Sequence, residues 1–129
     1  MREQGNTIYD KSFAFAKRIV RLYRFLGERH REYTLSKQLL RCGTSIGANV
    51  HEAVAAQSKK EFIAKMSIAS KEARETEYWI SLLIETGFLD GEADHVASLR
   101  RDIDEIVRIL SSIVKTSQQN LQAERTQKG

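Results

Sequence analysis

"RCGTSIGANVHEA", residues Arg41–Ala53, sets two glycines and the chain's single cysteine into a sequence otherwise rich in charged and helix-forming residues. Three readings compete for it: a phosphate-binding loop, a reactive-cysteine site, or a helix that lies unusually close to a neighbour. A phosphate loop of the G-x-x-x-x-G-K-[ST] type needs a preceding strand and a lysine on the phosphates, and the segment has neither. A nucleophilic Cys42 needs a histidine and an orienting partner, and His30, His51 and His95 stand in no such pattern. The helical reading fits better. Gly43 and Gly47 are four residues apart, and Leu39, Ile46 and Val50 continue the same side. Each glycine inside a helix costs about 1 kcal/mol relative to alanine. That cost is tolerated where a missing side chain lets another backbone come near, so the segment predicts a close-packing surface within a bundle or between subunits.

Outward from this segment the chain reads as four helices, at about residues 8–30, 34–56, 59–86 and 91–115, with a frayed tail over 116–129. There is no proline to interrupt a helical hydrogen-bond ladder. In the first helix Phe15, Ile19, Leu22 and Leu26 follow a 4-3-4 spacing, and Thr7 with Asp10 resembles a capping box. Ser58 and Glu61 form a second S-x-x-E box before the third helix, and Gly87 marks its end. In the fourth, Val96, Leu99, Ile103, Ile106, Leu110 and Ile113 alternate three and four apart, the seam of an antiparallel bundle. Short connections force antiparallel neighbours. The expectation is an all-α, up-down-up-down four-helix bundle forming one domain over residues 1–129.

Val107, Ile109 and Val114 widen the apolar surface of the fourth helix beyond its seam, which predicts a homo-oligomer. Ser45, Asn49 and Glu52 repeat at i, i+4, i+7, and Lys71, Arg74 and Tyr78 at i, i+3, i+7. The two stripes suggest a polar network joining the second and third helices. Tyr78 and Trp79 read as core or interface anchors rather than stacking platforms. Four-helix bundles hold di-iron centres with two Glu-x-x-His motifs, and this chain has one, Glu92–His95, so no metal or other cofactor is expected.

Charge is uneven: ten Lys/Arg face four Asp/Glu in residues 1–50, and eleven face thirteen in 51–129. Lys17, Arg21 and Arg24 stack on one face of the first helix with Arg18 beside them, a surface suited to an anionic partner. With no apolar run of membrane length and no signal-peptide pattern at the N-terminus, a cytoplasmic protein with no membrane partner is expected.

Residues Leu35–Leu89 carry S-x-Q-L-x-R-x-x-x-S-I-x-A-N-x-x-E and then F-x-x-x-x-x-I-A-x-x-E-A-x-E-x-x-Y-W. These motifs resemble the bacterial four helix bundle protein family, also known from proteins encoded in intervening sequences of large-subunit ribosomal RNA genes. Ala53 departs from the glycine that many members have after the motif glutamate. The resemblance implies a homo-oligomer, a ring-like pentamer, with no assigned catalytic activity. It also implies packing or network roles for Ser45, Ile46, Asn49, Glu52, Glu72 and Glu75. The accessory variability-determinant protein of diversity-generating retroelements looks like a relative, which by analogy suggests an RNA, a DNA or a reverse-transcriptase-like partner. The expected function is therefore a non-catalytic oligomeric bundle with no small-molecule substrate, binding RNA or a nucleoprotein through Lys17, Arg18, Arg21 and Arg24. A protein–protein scaffold without nucleic-acid binding is the alternative.

Overall fold

The computed structural model describes residues 3–128, with side chains described over 7–127. It contains α1 (Glu3–His30), α2 (Leu35–Val54), α3 (Lys59–Glu85) and α4 (Asp94–Lys128), and no strand among the described residues. The four helices form a bundle in which α1 and α3 each pack against both α2 and α4. Ile8, Phe15, Ile19, Leu26, Leu39, Ile46, Val50, Met66, Ile80, Leu83, Ile106 and Leu110 are fully buried along its centre.

Contacts between helices run in falling register. Along α1, Lys11 meets Glu105 and Arg18 meets Asp102 of α4. Along α2, Gly43 faces Ile19 and Gly47 faces Ser12, while Arg41 reaches Glu75 and Glu52 reaches Lys65 on α3.

Arg41–Ala53 is wholly helical, within α2. A Cβ built on Gly43 would stand 2.9 Å from Cγ1 and 3.0 Å from Cγ2 of Ile19. One built on Gly47 would stand 3.3 Å from the backbone oxygen of Ser12. The two glycines therefore open a notch in α2 that receives α1 itself. Ile19 has little freedom to yield, because it is β-branched and fully buried. Cys42 lies beside this notch, buried, with its thiol 3.7 Å from the Leu39 carbonyl oxygen. Burial is the main cause that pushes the thiol pKa up, so Cys42 acts as a small apolar packing group.

Helix ends follow local chemistry. Ser58 Oγ accepts from the Glu61 amide at 3.0 Å, and the Glu61 carboxylate accepts from the Gln57 amide at 3.1 Å. Gly87, with φ 88°, closes α3 in the left-handed conformation. At the start of α2 the work falls to Glu32, whose carboxylate accepts from the Leu35 and Ser36 amides at 2.8 and 3.1 Å.

Three expected boundaries are corrected. The tail 116–129 does not fray within the described residues: α4 continues to Lys128, because Ser117, Leu121 and Glu124 extend the line of Ile113 and Glu124 pairs with Lys59 at the start of α3. Thr7 and Asp10 do not cap α1, which begins at Glu3 and carries Ile8 fully buried within it. Asp90 and Gly91 precede α4 as a turn, with Asp90 Oδ1 accepting from the Glu92 amide at 2.9 Å, so the helix starts at Asp94.

The surplus apolar surface is also placed differently. Val107, Ile109 and Val114 are half-buried against the core. The exposed large apolar or aromatic side chains are Phe13, Phe25, Tyr33, Val54, Ile68 and Tyr78.

Two outcomes test this packing. Gly43→Val should lower the unfolding free energy by about 1–3 kcal/mol, the usual cost of overpacking, as read by urea denaturation. Cys42 should react with a thiol reagent at pH 8 about 100-fold or more slowly in the folded protein than in urea, since attack requires local opening. The pKa shift carries a sign. The buried neutral thiol stabilises the fold below the free-thiol pKa, and that contribution is lost as pH rises through the raised folded value.

Candidate nucleic-acid interface

The basic row on α1 divides in two. Lys17, Arg21 and Arg24 are exposed, share one face at 4-3 spacing, and make no ion pair among the described residues. The Lys17 ammonium lies 5.3 Å from the centre of the Phe13 ring, which is 62% exposed. This cation–aromatic contact keeps the charge at the surface.

Arg18 is a correction to the expected site. Its position, one step of about 100° around the helix from Lys17, turns it towards α4. There it donates to Asp102 Oδ2 at 2.6 Å, Ser98 Oγ at 3.1 Å and the His95 carbonyl at 3.0 Å. A guanidinium held by a carboxylate and two further acceptors is a structural clamp between helices. Beside it, Arg21, Leu22, Phe25, His95 and Leu99 line a largely apolar cavity of about 340 Å³ between α1 and α4.

The polar stripes do not meet as expected. Asn49 donates to the Ser45 carbonyl at 2.9 Å and to Ser45 Oγ at 3.1 Å, both within α2. Glu52 pairs with Lys65 at 2.7 Å. Hydrogen bonding to Lys65 is the main cause that lowers the Glu52 carboxyl pKa, and the same bond raises that of Lys65. Lys71 is exposed, Arg74 reaches across to Ser111 of α4 at 3.2 Å, and Tyr78 is 60% exposed. The register explains the mismatch: α2 meets α3 with Arg41 near Glu72 and Glu75, which leaves Lys71, Arg74 and Tyr78 away from α2.

The network that does join α2 to α3 was missed by spacing alone. Arg41 donates to Glu75 at 2.5 Å and to Glu72 at 3.4 Å, and Trp79 Nε1 donates to the same Glu75 oxygen at 3.1 Å. Its signal lay in the motifs themselves, where Arg41 sits in the first and Glu72 and Glu75 in the second. A further bond, Tyr9 hydroxyl to His51 Nδ1 at 2.7 Å, ties the start of α1 to the end of α2.

On the opposite flank, Arg74, Glu77, Tyr78 and Arg100 line an open cavity of about 480 Å³ between α3 and α4. Partial burial, with Asp104 adding to it, raises the Glu77 carboxyl pKa, against the pull of Arg74 and Arg100. No group of three or more His, Cys, Asp or Glu among the described residues is placed to hold a metal ion. No described helix is long and apolar enough to cross a membrane.

The structure is similar to the 1.70 Å crystal structure of a protein of unknown function from the S23 ribosomal protein family of Bacteroides thetaiotaomicron VPI-5482. The two are 50% identical with a TM-score of 0.81, over 87% of this chain and 98% of that one. No curated protein matches. Residues 4–112 match the family described as 23S rRNA-intervening sequence protein. The chain belongs to the 23S rRNA-intervening sequence protein family.

Proposed function

We propose that this protein is a non-catalytic, cytoplasmic RNA-binding bundle of up-down-up-down helices that assembles as a homo-oligomeric ring and holds structured RNA on α1. The observation that carries the reading is the row of Lys17, Arg21 and Arg24, which makes no ion pair among the described residues. Six other cations, Lys11, Arg18, Arg41, Lys59, Lys65 and Arg108, are each matched to a carboxylate. Three neighbouring cations that make no ion pair among the described residues form, on one helix face, a surface whose charge an RNA backbone would neutralise. The family's association with intervening sequences of 23S rRNA supports an RNA partner over other polyanions.

The falling register of contacts between neighbouring helices supports the antiparallel arrangement. Assembly is supported by exposed Phe13, Val54 and Ile68, which a monomer would leave in water. The same apolar residues favour the second reading, a protein scaffold in which those faces meet another protein.

Binding to a panel of structured RNAs at two salt concentrations separates the readings. The variant carrying Lys17→Ala, Arg21→Ala and Arg24→Ala should bind more weakly across the panel, with the salt slope reduced by about 3, one per lost phosphate contact. Unchanged affinity and slope would reject the α1 interface. Light scattering should give a mass that is a multiple of 14.8 kDa, and a stable monomer at micromolar concentration would reject the assembly.

A further inference from the structure

The flank formed by α3 and α4 carries an arrangement that the basic row on α1 does not explain. Tyr78 is an aromatic side chain held out into solvent, 60% exposed. Its ring is not loose. It meets Trp79 edge-to-face, with centroids 5.1 Å apart and planes at 79°. Trp79 is fixed in turn by its bond to Glu75, and Glu75 by Arg41. The exposed ring thus rests edge-to-face on a side chain that is itself held in place, which favours a fixed orientation.

Tyr78 also lines the cavity of about 480 Å³ between α3 and α4, within the range of small-ligand sites. Two guanidiniums border it. Arg74 is steadied by Ser111, while Arg100 makes no hydrogen bond or ion pair among the described residues. Half-buried Glu77 stands in the field of both and of Asp104, whose carboxylate is paired with Arg108, and Glu77 is the one acidic residue among those lining the cavity. An aromatic platform, cations for a phosphate and a single acceptor group are the three elements by which proteins hold an unpaired nucleotide.

We propose that Tyr78, Arg74, Arg100 and Glu77 form a subsite for one unpaired nucleotide of single-stranded RNA. The base stacks on Tyr78 and the phosphate lies against Arg100 and Arg74. The Glu77 carboxylate accepts from an exocyclic amine on the base edge, so cytosine, whose N4 amine is such a donor, is held in preference to uracil. This deepens the RNA reading given above and rests on it, while using side chains of α3 and α4 rather than Lys17, Arg21 and Arg24 of α1. Tyr78 is thereby a functional platform rather than the core or interface anchor its sequence context suggests.

Trp79 is the chain's only tryptophan, so its fluorescence reports on the site directly. The full-length protein is titrated with hexacytidine and hexauridine RNA. Hexacytidine should quench Trp79 and bind more tightly than hexauridine. Tyr78→Ala should weaken hexacytidine binding about 5- to 150-fold, the range for loss of one stacked base, whereas Tyr78→Phe should retain it. Arg100→Gln should reduce the salt slope by about 1, and Glu77→Gln should abolish the preference for cytidine. Because Tyr78 and Arg100 are exposed and Glu77→Gln keeps the shape of a half-buried side chain, circular dichroism should give unchanged folding for each variant.

Hexacytidine affinity unaltered by Tyr78→Ala overturns the subsite. So does an absence of hexamer binding while structured RNAs still bind through α1, an outcome that leaves the α1 reading standing. If hexamer binding depends on Tyr78 and the triple α1 variant still binds structured RNA normally, the subsite stands and the α1 reading falls. Absence of any RNA binding overturns both.

Discussion

The close approach of α1 to α2 at Gly43 and Gly47 is the constraint on which the remaining geometry depends. With side chains at those positions, Ile19 and the Ser12 backbone would have to move by several tenths of an ångström or more. That displacement would pass along α1 as a rigid element. It would carry Arg18 away from Asp102 and Lys11 away from Glu105, contacts that set α1 against α4. Two glycines, each unfavourable for helix formation by itself, thus fix the position of the helix bearing the basic row.

On the other side of α2, ionic contacts take over. Arg41 and Glu52 meet α3 in falling order, at Glu75 and Lys65. Half-exposed pairs of this kind contribute little to stability individually. Their effect is to favour one register of α2 on α3 over slipped alternatives. That register places Tyr78 and Arg74 on the outer side of α3, where they join Arg100 of α4 rather than α2. Both candidate RNA-contacting surfaces are consequences of how α2 is gripped, by glycines on one side and by charges on the other.

The sequence carries the helix count, the Ser58 and Gly87 boundaries, the core stripe of α4 and the meaning of the two glycines. Each depends on chemistry within a few residues of itself. What it does not carry depends on register between helices. Lys17, Arg18, Arg21 and Arg24 look equivalent as charges along a line, yet the roughly 100° step from Lys17 to Arg18 decides that one is clamped and the other free. The polar stripes of α2 and α3 both follow helical spacing, but Arg74 and Tyr78 lie on the α4 side of α3 while Glu52 meets Lys65 instead. The end of α4 escapes recognition because its apolar period thins to Leu121 and its partner there, Lys59, is remote in sequence. Glu32 escapes for a different reason: it caps α2 from outside the helix, across a turn in which Arg31 takes φ 52°.

The most direct measurement of the notch is a double-mutant cycle between Gly43 and Ile19, followed by urea unfolding. Ile19→Ala removes the two carbons nearest Gly43 and leaves a cavity, while Gly43→Val adds carbons into the same space. If α1 seats against α2 there, the double variant is more stable than the two separate costs require, by a coupling of about 0.5–3 kcal/mol. Costs that add to within about 0.5 kcal/mol would mean that the two positions do not share a space, and the notch would not be what positions α1.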